Sequence, residues 1–313
     1  MKPTGFNKLS PEDADIIHEL SRQLNIAVVE RLAKGHEKKF YIETTQGEKR
    51  LLRIGKNKTK SYEWGKYCDI PMYEYVAAAG INVMRPLGMG IFEGMLSYEL
   101  YTWFDGEDLF EALPRMSHAE QFAAGEKCGA VARKIHSLSP MYDAEPWGIR
   151  FKREVQEKIQ AYNDSPSKSQ SGDLLVRYLQ DNQELPDNRP QTFTHGDWNT
   201  GNIMLTPDGE IGVIDIGGGN NCSDPWWEFW EIPDEADSQA HFYTGLIKGY
   251  FGGEVLAEYF SLLAYYMAFG RLKWEYDYQC LLNWFDDMRN PVPTWYLKDY
   301  MENKKLQSKL KSV

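Results

Sequence analysis

The sequence predicts an α+β protein with a small, β-rich N-terminal part and a larger, mainly helical C-terminal part. Three short strand-like stretches occur within the first sixty residues, separated by turn residues. They lie at 27–32, 39–44 and 50–54. Beyond residue 104, apolar residues recur at helical spacing, for example over 117–138. The polar turn at 104–107 separates the two patterns, so we expect domains at 1–103 and 104–313.

Capping and turn residues define the elements of the N-terminal part. The segment Ser10-Pro11-Glu12-Asp13 is typical of a helix start, because serine caps, proline fits the first turn and acids favour the helix N-terminus. The three strands are joined by tight turns, which indicates an antiparallel meander. A helix at 73–79, ended by a glycine, and strands at 81–87 and 95–103 complete the part.

The C-terminal part is predicted to be helical with a small β insertion. Apolar residues repeat every three to four positions in its helical segments. These helices are predicted at 117–138, 151–162 and 174–182. Two short apolar segments, 203–205 and 211–214, flank the turn sequence Thr206-Pro207-Asp208-Gly209 and predict a hairpin.

Composition excludes several classes of protein. Aromatic residues make up 14% of the 313 residues, which excludes general disorder. The N-terminus has no apolar run typical of a secretory signal, and no stretch approaches the roughly 20 apolar residues that cross a bilayer. The four cysteines are far apart, which is unlike a disulfide scaffold or a zinc knuckle. We therefore expect a cytoplasmic protein with no membrane association.

The charge distribution bears on the class of partner. The net charge is −11, yet residues 1–60 hold 13 basic and 8 acidic residues. Residues 191–290 hold 16 acidic and 4 basic residues. An acidic C-terminal half argues against nucleic acid as a partner and is compatible with a cationic ligand.

The most informative feature is a pair of segments, HGDWNTGN at 195–202 and VIDIGG at 213–218. The predicted hairpin would place Asp197 and Asn202 on a loop at one end, and Asp215 just beyond the second strand at the same end. Two carboxylates and one carboxamide would then meet at one point. We expect His195 to be structural and to hydrogen-bond within the loop.

This set of side chains suits phosphoryl transfer. That reaction needs a carboxylate that orients the attacking hydroxyl and accepts its proton. It also needs hard oxygen ligands that hold Mg²⁺ against the nucleotide phosphates, and one carboxylate and one amide can suffice because Mg²⁺ keeps water ligands.

The paired motif resembles that of the aminoglycoside phosphotransferase and choline kinase family. The resemblance extends from about residue 26 to residue 230. It implies a two-lobed, protein-kinase-like fold with a small antiparallel-sheet N-lobe that binds nucleotide and a larger helical C-lobe. It also implies ATP or GTP as co-substrate, with Asp197 as catalytic base and with Asn202 and Asp215 as Mg²⁺ ligands.

The same resemblance suggests residues for nucleotide binding. Gly35 lies in a segment similar to the family's short nucleotide loop, and Arg53 stands where the family usually has a phosphate-binding lysine. The acid that pairs with Arg53 stays open between Asp69, Glu63 and Glu74. Backbone groups of Tyr101 to Trp103 are expected to bind the adenine edge, by position alone.

The acceptor is expected to be a cationic small molecule. Residues 226–287 mix aromatic and acidic side chains, which together suit an amino sugar, a quaternary amine or a basic peptide. Glu228 stands in a motif similar to the family's Asp-Pro-x-x-Asp, where it would either hold the catalytic loop or face the substrate. Glu231 is a second candidate substrate contact.

Two other functions fit part of the sequence. Arg53 and Asp69 depart from the family pattern, as expected of a kinase-shaped binding or structural protein that has lost catalysis. A metal-dependent hydrolase could instead use His195, Asp197 and Asp215. The intact set of Asp197, Asn202 and Asp215 favours a kinase.

Overall fold

A computed structural model describes residues 4–33, 38–56, 70–92, 96–216 and 221–272. By their contacts, the residues divide into two compact units. The first comprises residues 1–106 together with 212–216, and the second comprises 107–211 together with 217–313. The chain therefore leaves the first unit and later returns to it for five residues.

The first unit is built on a five-stranded antiparallel sheet, as the sequence predicts. Its elements are α1 (Pro11–Gln23), β1 (Ile26–Arg31), β2 (Lys38–Thr44), β3 (Lys49–Lys56), α2 (Ile70–Ala78), β4 (Pro86–Phe92) and β5 (Leu96–Thr102). The strand order is β1-β2-β3-β5-β4. The strand expected at 81–87 is displaced, since β4 begins at Pro86. Before it, Val83 forms an isolated parallel bridge to Val213, so this apolar run lies outside the sheet.

One face of this sheet packs against α1. The helix begins as predicted, with the Ser10 hydroxyl accepting a hydrogen bond from the Asp13 N–H at 3.2 Å. Its apolar side chains join a core cluster with one face of β2, β3 and β5. This cluster includes Ile16, Ile17, Leu20, Phe40, Ile42, Leu52, Ile54 and Leu100. Because side chains alternate along strands, Lys39, Tyr41 and Arg53 project from the opposite face.

The second unit is mainly helical, as predicted. Its helices are α3 (Leu109–Ala112), α4 (His118–His136), α5 (Trp147–Asp164), α6 (Gln170–Asp181), α7 (Ile232–Phe251) and α8 (Ala257–Arg271). Its strands are β6 (Glu107–Asp108), β7 (Thr192–Phe193), β8 (Ile203–Leu205) and β10 (Cys222–Ser223), while β9 (Ile211–Val213) crosses from this unit into the first. The turn after β8 is closed by the Thr206 N–H, which donates to the Glu210 carbonyl at 2.9 Å.

Two helices of the second unit begin earlier than the apolar pattern predicts. Helix α6 starts at Gln170 because the Ser169 hydroxyl accepts a hydrogen bond from the Gly172 N–H at 3.0 Å. Helix α5 starts at Trp147, directly after Pro146. The connection between them covers residues 165–169 and is shorter than the gap between the helices predicted at 151–162 and 174–182.

Helices α4 and α7 approach each other at backbone contact distance through glycines. A Cβ atom at Gly125 would lie 2.1 Å from the Phe242 carbonyl oxygen, and one at Gly129 would lie 2.0 Å from the Leu246 carbonyl oxygen. The relation is mutual, because Cβ atoms at Gly245 and Gly249 would meet α4 carbonyls at 2.2 and 2.1 Å. No side chain larger than hydrogen fits at these positions without a shift of the backbone.

Within the ranges that the structure describes, no helix combines the length and hydropathy of a membrane span.

Candidate active site

In the second unit, the loop after β7 brings two of the predicted residues together. The Asn202 side-chain amide donates to Asp197 Oδ2 at 2.8 Å and to the Asp197 carbonyl oxygen at 2.9 Å. The Asn199 side-chain amide donates to the other carboxylate oxygen, Oδ1, at 2.9 Å. The Asp197 side chain is therefore exposed yet fixed in orientation by two carboxamides.

Glu228 supports this loop from inside the unit. Its carboxylate accepts hydrogen bonds from the backbone N–H groups of His195, at 2.8 Å, and Gly196, at 2.5 Å. The His136 ring nitrogen Nε2 lies 3.1 Å from the same carboxylate, whose side chain is 3% exposed. Glu228 thus performs the first of the two roles that the sequence left open, which is to hold the loop. Its oxygens are buried and directed at protein groups rather than at a substrate.

The environment of Glu228 favours its charged form. Burial by itself would raise the pKa of this carboxyl group. The hydrogen bond and charge of His136 and the Gly196 N–H act in the opposite direction, and the contributions that lower the pKa outweigh burial. The net result is that the pKa of Glu228 is lowered, so the carboxylate stays a hydrogen-bond acceptor for the loop.

Further buried contacts define the start of the loop. The His195 ring is fully buried, and its Nδ1 accepts a hydrogen bond from the Asp197 N–H at 3.2 Å. The Asn221 side-chain amide donates to the carbonyl oxygens of Thr194, at 2.7 Å, and His195, at 2.9 Å. These contacts fix the backbone on which Asp197 sits.

A pocket of the second unit adjoins the same loop. Aromatic and polar side chains line it, including Trp198, Asn199, Glu231, Phe242 and Tyr243. Glu231 is exposed at the start of α7 and adds a carboxylate to this lining of aromatic, aliphatic and polar side chains.

In the first unit, Asp215 carries the second predicted carboxylate. Its φ angle is +56°, in the left-handed region that non-glycine residues seldom adopt. Neighbouring hydrogen bonds fix this segment, because the Ile216 N–H donates to the Tyr73 hydroxyl at 3.2 Å and the Val213 N–H donates to the Asn82 carbonyl at 2.9 Å. The strained backbone therefore presents the Asp215 side chain in a defined direction.

Two cations contact the Asp215 carboxylate. Lys39 Nζ lies 3.0 Å from Oδ2, and Arg53 Nη1 lies 3.4 Å from Oδ1. The contact with Arg53 was not expected from the sequence, which offered Asp69, Glu63 and Glu74 as its partner. Glu74 is exposed on α2, and the other two acids lie outside the described residues, as does Gly35.

The residues predicted to bind the adenine edge, 101–103, lie at the end of β5 and directly after it. The Thr102 N–H donates to the Arg85 carbonyl at 2.9 Å, and the Trp103 N–H donates to the Lys49 carbonyl at 3.2 Å. These two N–H groups are thus engaged within the unit, although the sequence-based expectation placed nucleotide contacts on this backbone. The Trp103 ring meets Tyr41 edge-on, with 4.8 Å between ring centroids.

Residues 28–259 match the model of the phosphotransferase enzyme family, APH. The chain belongs to this family. It is accordingly a phosphotransferase that acts on an alcohol group. No individual curated protein matches the sequence significantly.

Solved structures similar to this phosphotransferase share its fold at low identity. An aminoglycoside 2'-phosphotransferase-IIIa mutant in complex with GDP is 14% identical, with a TM-score of 0.64, over 95% of this chain and 97% of that one. The aminoglycoside phosphotransferase APH(4)-Ia is 19% identical, with a TM-score of 0.62, over 89% and 95%. Amicoumacin kinase hAmiN in complex with AMP-PNP, Ca²⁺ and Ami is 14% identical, with a TM-score of 0.55, over 91% and 97%. The predicted protein-kinase-like fold is confirmed.

Asn202 in the second unit and Asp215 in the first each carry an oxygen atom that suits a magnesium ion. Asn202 uses its amide nitrogen on Asp197, which leaves the carboxamide oxygen as the atom suited to a metal. Asp215 supplies a carboxylate that already lies among cations. Both are hard oxygen donors of the kind that Mg²⁺ prefers.

Sequence reasoning missed several residues that build the site. Lys39 belongs to none of the motifs found in the sequence, and it contacts Asp215, which lies 176 positions later in the chain. Asn221 and His136 act through buried contacts with the loop and with Glu228. The register of β2 and β3, which pairs Lys39 with Arg53, is the signal that could have identified Lys39.

Proposed function

We propose that this phosphotransferase transfers the γ-phosphate of ATP or GTP to a hydroxyl group of a cationic small molecule. The observation that carries the proposal is the fixed Asp197 carboxylate, which two carboxamides orient on an exposed loop. A carboxylate in that arrangement can accept a hydrogen bond from an alcohol and then its proton.

The chain's own groups supply the steps of the transfer. Asp197 binds the acceptor hydroxyl and takes up its proton as the bond to phosphorus forms and the bond to the nucleoside diphosphate breaks. Asn202 and Asp215 would hold Mg²⁺, which neutralises charge on the phosphates when it is bound. Arg53 would steady the phosphates through its planar fork of donors. We assign nucleotide binding to residues 1–103 and acceptor binding to residues 104–313.

The complexes formed by similar proteins support a nucleotide and a small-molecule acceptor. They include complexes with GDP, with AMP-PNP, and with ADP and hygromycin B. In this chain, the exposed Glu231 carboxylate lies beside a small pocket whose lining includes Trp198 and Tyr243. Carboxylates and aromatic faces both attract cations, which favours a cationic acceptor.

The Asp197→Asn variant tests the proposal. We expect turnover, followed as ADP or GDP release with a panel of hydroxylated amines, to fall by about 10²- to 10⁴-fold because the variant cannot take up the proton. Nucleotide affinity, measured by calorimetry, should stay within about twofold because the metal and phosphate contacts remain.

Asp208→Asn is the matched control, since Asp208 is an exposed acid on the turn that follows β8. It should retain full turnover. Normal turnover in Asp197→Asn would overturn the assignment of the base. Nucleotide binding without turnover by the wild type, across the whole acceptor panel, would contradict the proposed reaction.

A further inference from the structure

Lys39 and Arg53 form a pair of cations on the sheet face opposite to α1. They are directly opposite residues of antiparallel strands β2 and β3, so their side chains project from the same face. Lys38, the preceding residue, points the other way and bonds Glu12 and Asp13 at 2.8 Å each. The two neighbouring lysines therefore serve different faces of the sheet.

Adjacent like charges on a sheet are unfavourable unless an anion lies between them. Asp215 is such an anion, with one carboxylate oxygen facing each cation. All three side chains are largely buried, at 17% exposure for Lys39, 15% for Arg53 and 26% for Asp215. Their charges consequently act at low screening.

The carboxylate beside Arg53 on the neighbouring strand β5 has a different partner. Glu99 on β5 is directly opposite Arg53. Its carboxylate accepts a hydrogen bond from the Tyr101 hydroxyl at 2.9 Å. Burial, and next the charge of Glu99, raise the pKa of Tyr101, so this hydroxyl remains protonated and keeps donating. In the structure, Lys39 thus bonds Asp215 rather than Glu99.

A metal ion held by Asp215 would draw on the same negative charge as the Lys39 ammonium group. If Asp215 ligates Mg²⁺, as the proposed function holds, its contact with Lys39 through Oδ2 would weaken. A bound nucleoside triphosphate would offer Lys39 phosphate oxygens, which are acceptors for an ammonium group. Lys39 has a flexible side chain and three donors, which lets it move a short distance between the two anions.

We infer that Lys39 is a second phosphate-binding cation, which β2 supplies beside Arg53 of β3. Before nucleotide binds, it holds the Asp215 carboxylate in place. With nucleotide bound, its ammonium group also donates to phosphate oxygens, whether or not Mg²⁺ engages Asp215. The inference rests on the proposed function, since it requires the nucleotide and metal to meet Asp215.

Lys39→Met tests this role by removing the charge while keeping most of the side-chain volume. The probes are ADP and GDP, with adenosine and guanosine as their phosphate-free counterparts, each measured by calorimetry with Mg²⁺ and with EDTA. We expect diphosphate affinity to fall by roughly 10- to 100-fold in both conditions, because a charge-assisted hydrogen bond to phosphate is lost. Nucleoside affinity should not change, and Lys39→Arg should recover part of the loss.

Lys38→Met is the matched control, with the same charge change on the same strand but on the opposite face. Its diphosphate affinity should equal that of the wild type. Unchanged affinity in Lys39→Met would overturn the inference, and so would a loss seen with Mg²⁺ but not with EDTA, since Lys39 would then act on Asp215 alone. If the wild type itself binds neither diphosphate, the proposed function fails and this inference fails with it.

Discussion

Glu228 illustrates how a buried carboxylate can serve a reaction without touching a reactant. Its carboxylate accepts hydrogen bonds from the backbone N–H groups of the two residues that precede Asp197, and it also contacts the His136 ring. It is therefore a positioning residue for the loop. The sequence motif locates this acid, but it does not say which way the side chain points, because burial is a property of the folded chain.

The Glu228→Gln variant should show this role through its pH dependence. A carboxyl whose pKa is lowered by folding stabilises the protein above its unfolded pKa, and this stability is lost as the pH falls through the folded pKa. We expect the wild type to lose melting temperature steeply below a pH of about 4.3, and Glu228→Gln to lose less over that interval.

At neutral pH the same variant should be less stable by about 1–3 kcal/mol, because one amide hydrogen of glutamine faces a donor. Urea unfolding and melting curves at several pH values measure both effects. Glu210→Gln is the control, because Glu210 is an exposed acid paired with Lys127. It should change neither the stability at neutral pH nor the pH dependence of the melting temperature. Identical pH profiles for wild type and Glu228→Gln would contradict the account.

Among the elements, α4 and α7 need glycine residues for their close packing, and the pattern of apolar residues does not indicate this need. Glycine lowers helix propensity, so an isolated helix would gain roughly 1 kcal/mol from alanine at Gly125 or Gly129. In the folded unit the absent side chains let the backbones meet. Tertiary packing therefore reverses the effect that local propensity predicts.

Gly129→Ala should destabilise the protein by about 1–3 kcal/mol, because the added methyl group would lie 2.0 Å from the Leu246 carbonyl oxygen. Urea unfolding measures the change. Gly253→Ala is the control, since nothing lies within 4 Å of its Cβ position. Greater stability in Gly129→Ala would show that the helices can move apart at little cost.

Individual elements show how much of the fold could be predicted from the sequence. The turn after β8 and the helix start at Ser10 follow from local residue chemistry, and both form as predicted. The run at 81–87 has strand-like composition, but its first residues pair outside the sheet, with Val83 bridging Val213. Contacts between residues far apart in the chain, such as Lys39 with Asp215, depend on strand register and could not be inferred from local pattern.

For the molecule as a whole, the uneven charge should govern how the acceptor binds. Residues 191–290 hold 16 acidic and 4 basic residues, and an excess of negative charge raises the local concentration of cations. Salt screens this attraction, with a Debye length of about 10 Å at 0.1 M and about 3 Å at 1 M.

We expect the KM for a cationic acceptor to rise several-fold between about 0.05 and 0.5 M salt. The comparison substrate is the N-acetylated form of the same compound, which keeps the hydroxyl groups and loses the charge. Its KM should be higher at low salt and nearly constant across the range. Steady-state kinetics on the two compounds provides the measurement. Equal KM values for the pair at every salt concentration would exclude recognition of the cation.

The return of residues 212–216 to the first unit has a consequence for how the protein is made. During synthesis, Gly106 is added about a hundred residues before residues 212–216. Until then the nascent first unit lacks the partners of the Asn82 carbonyl and the Tyr73 hydroxyl, as well as the anion between Lys39 and Arg53. The first unit can therefore complete these contacts only after residue 216 has been synthesised. A fragment that ends at Gly106 would lack them.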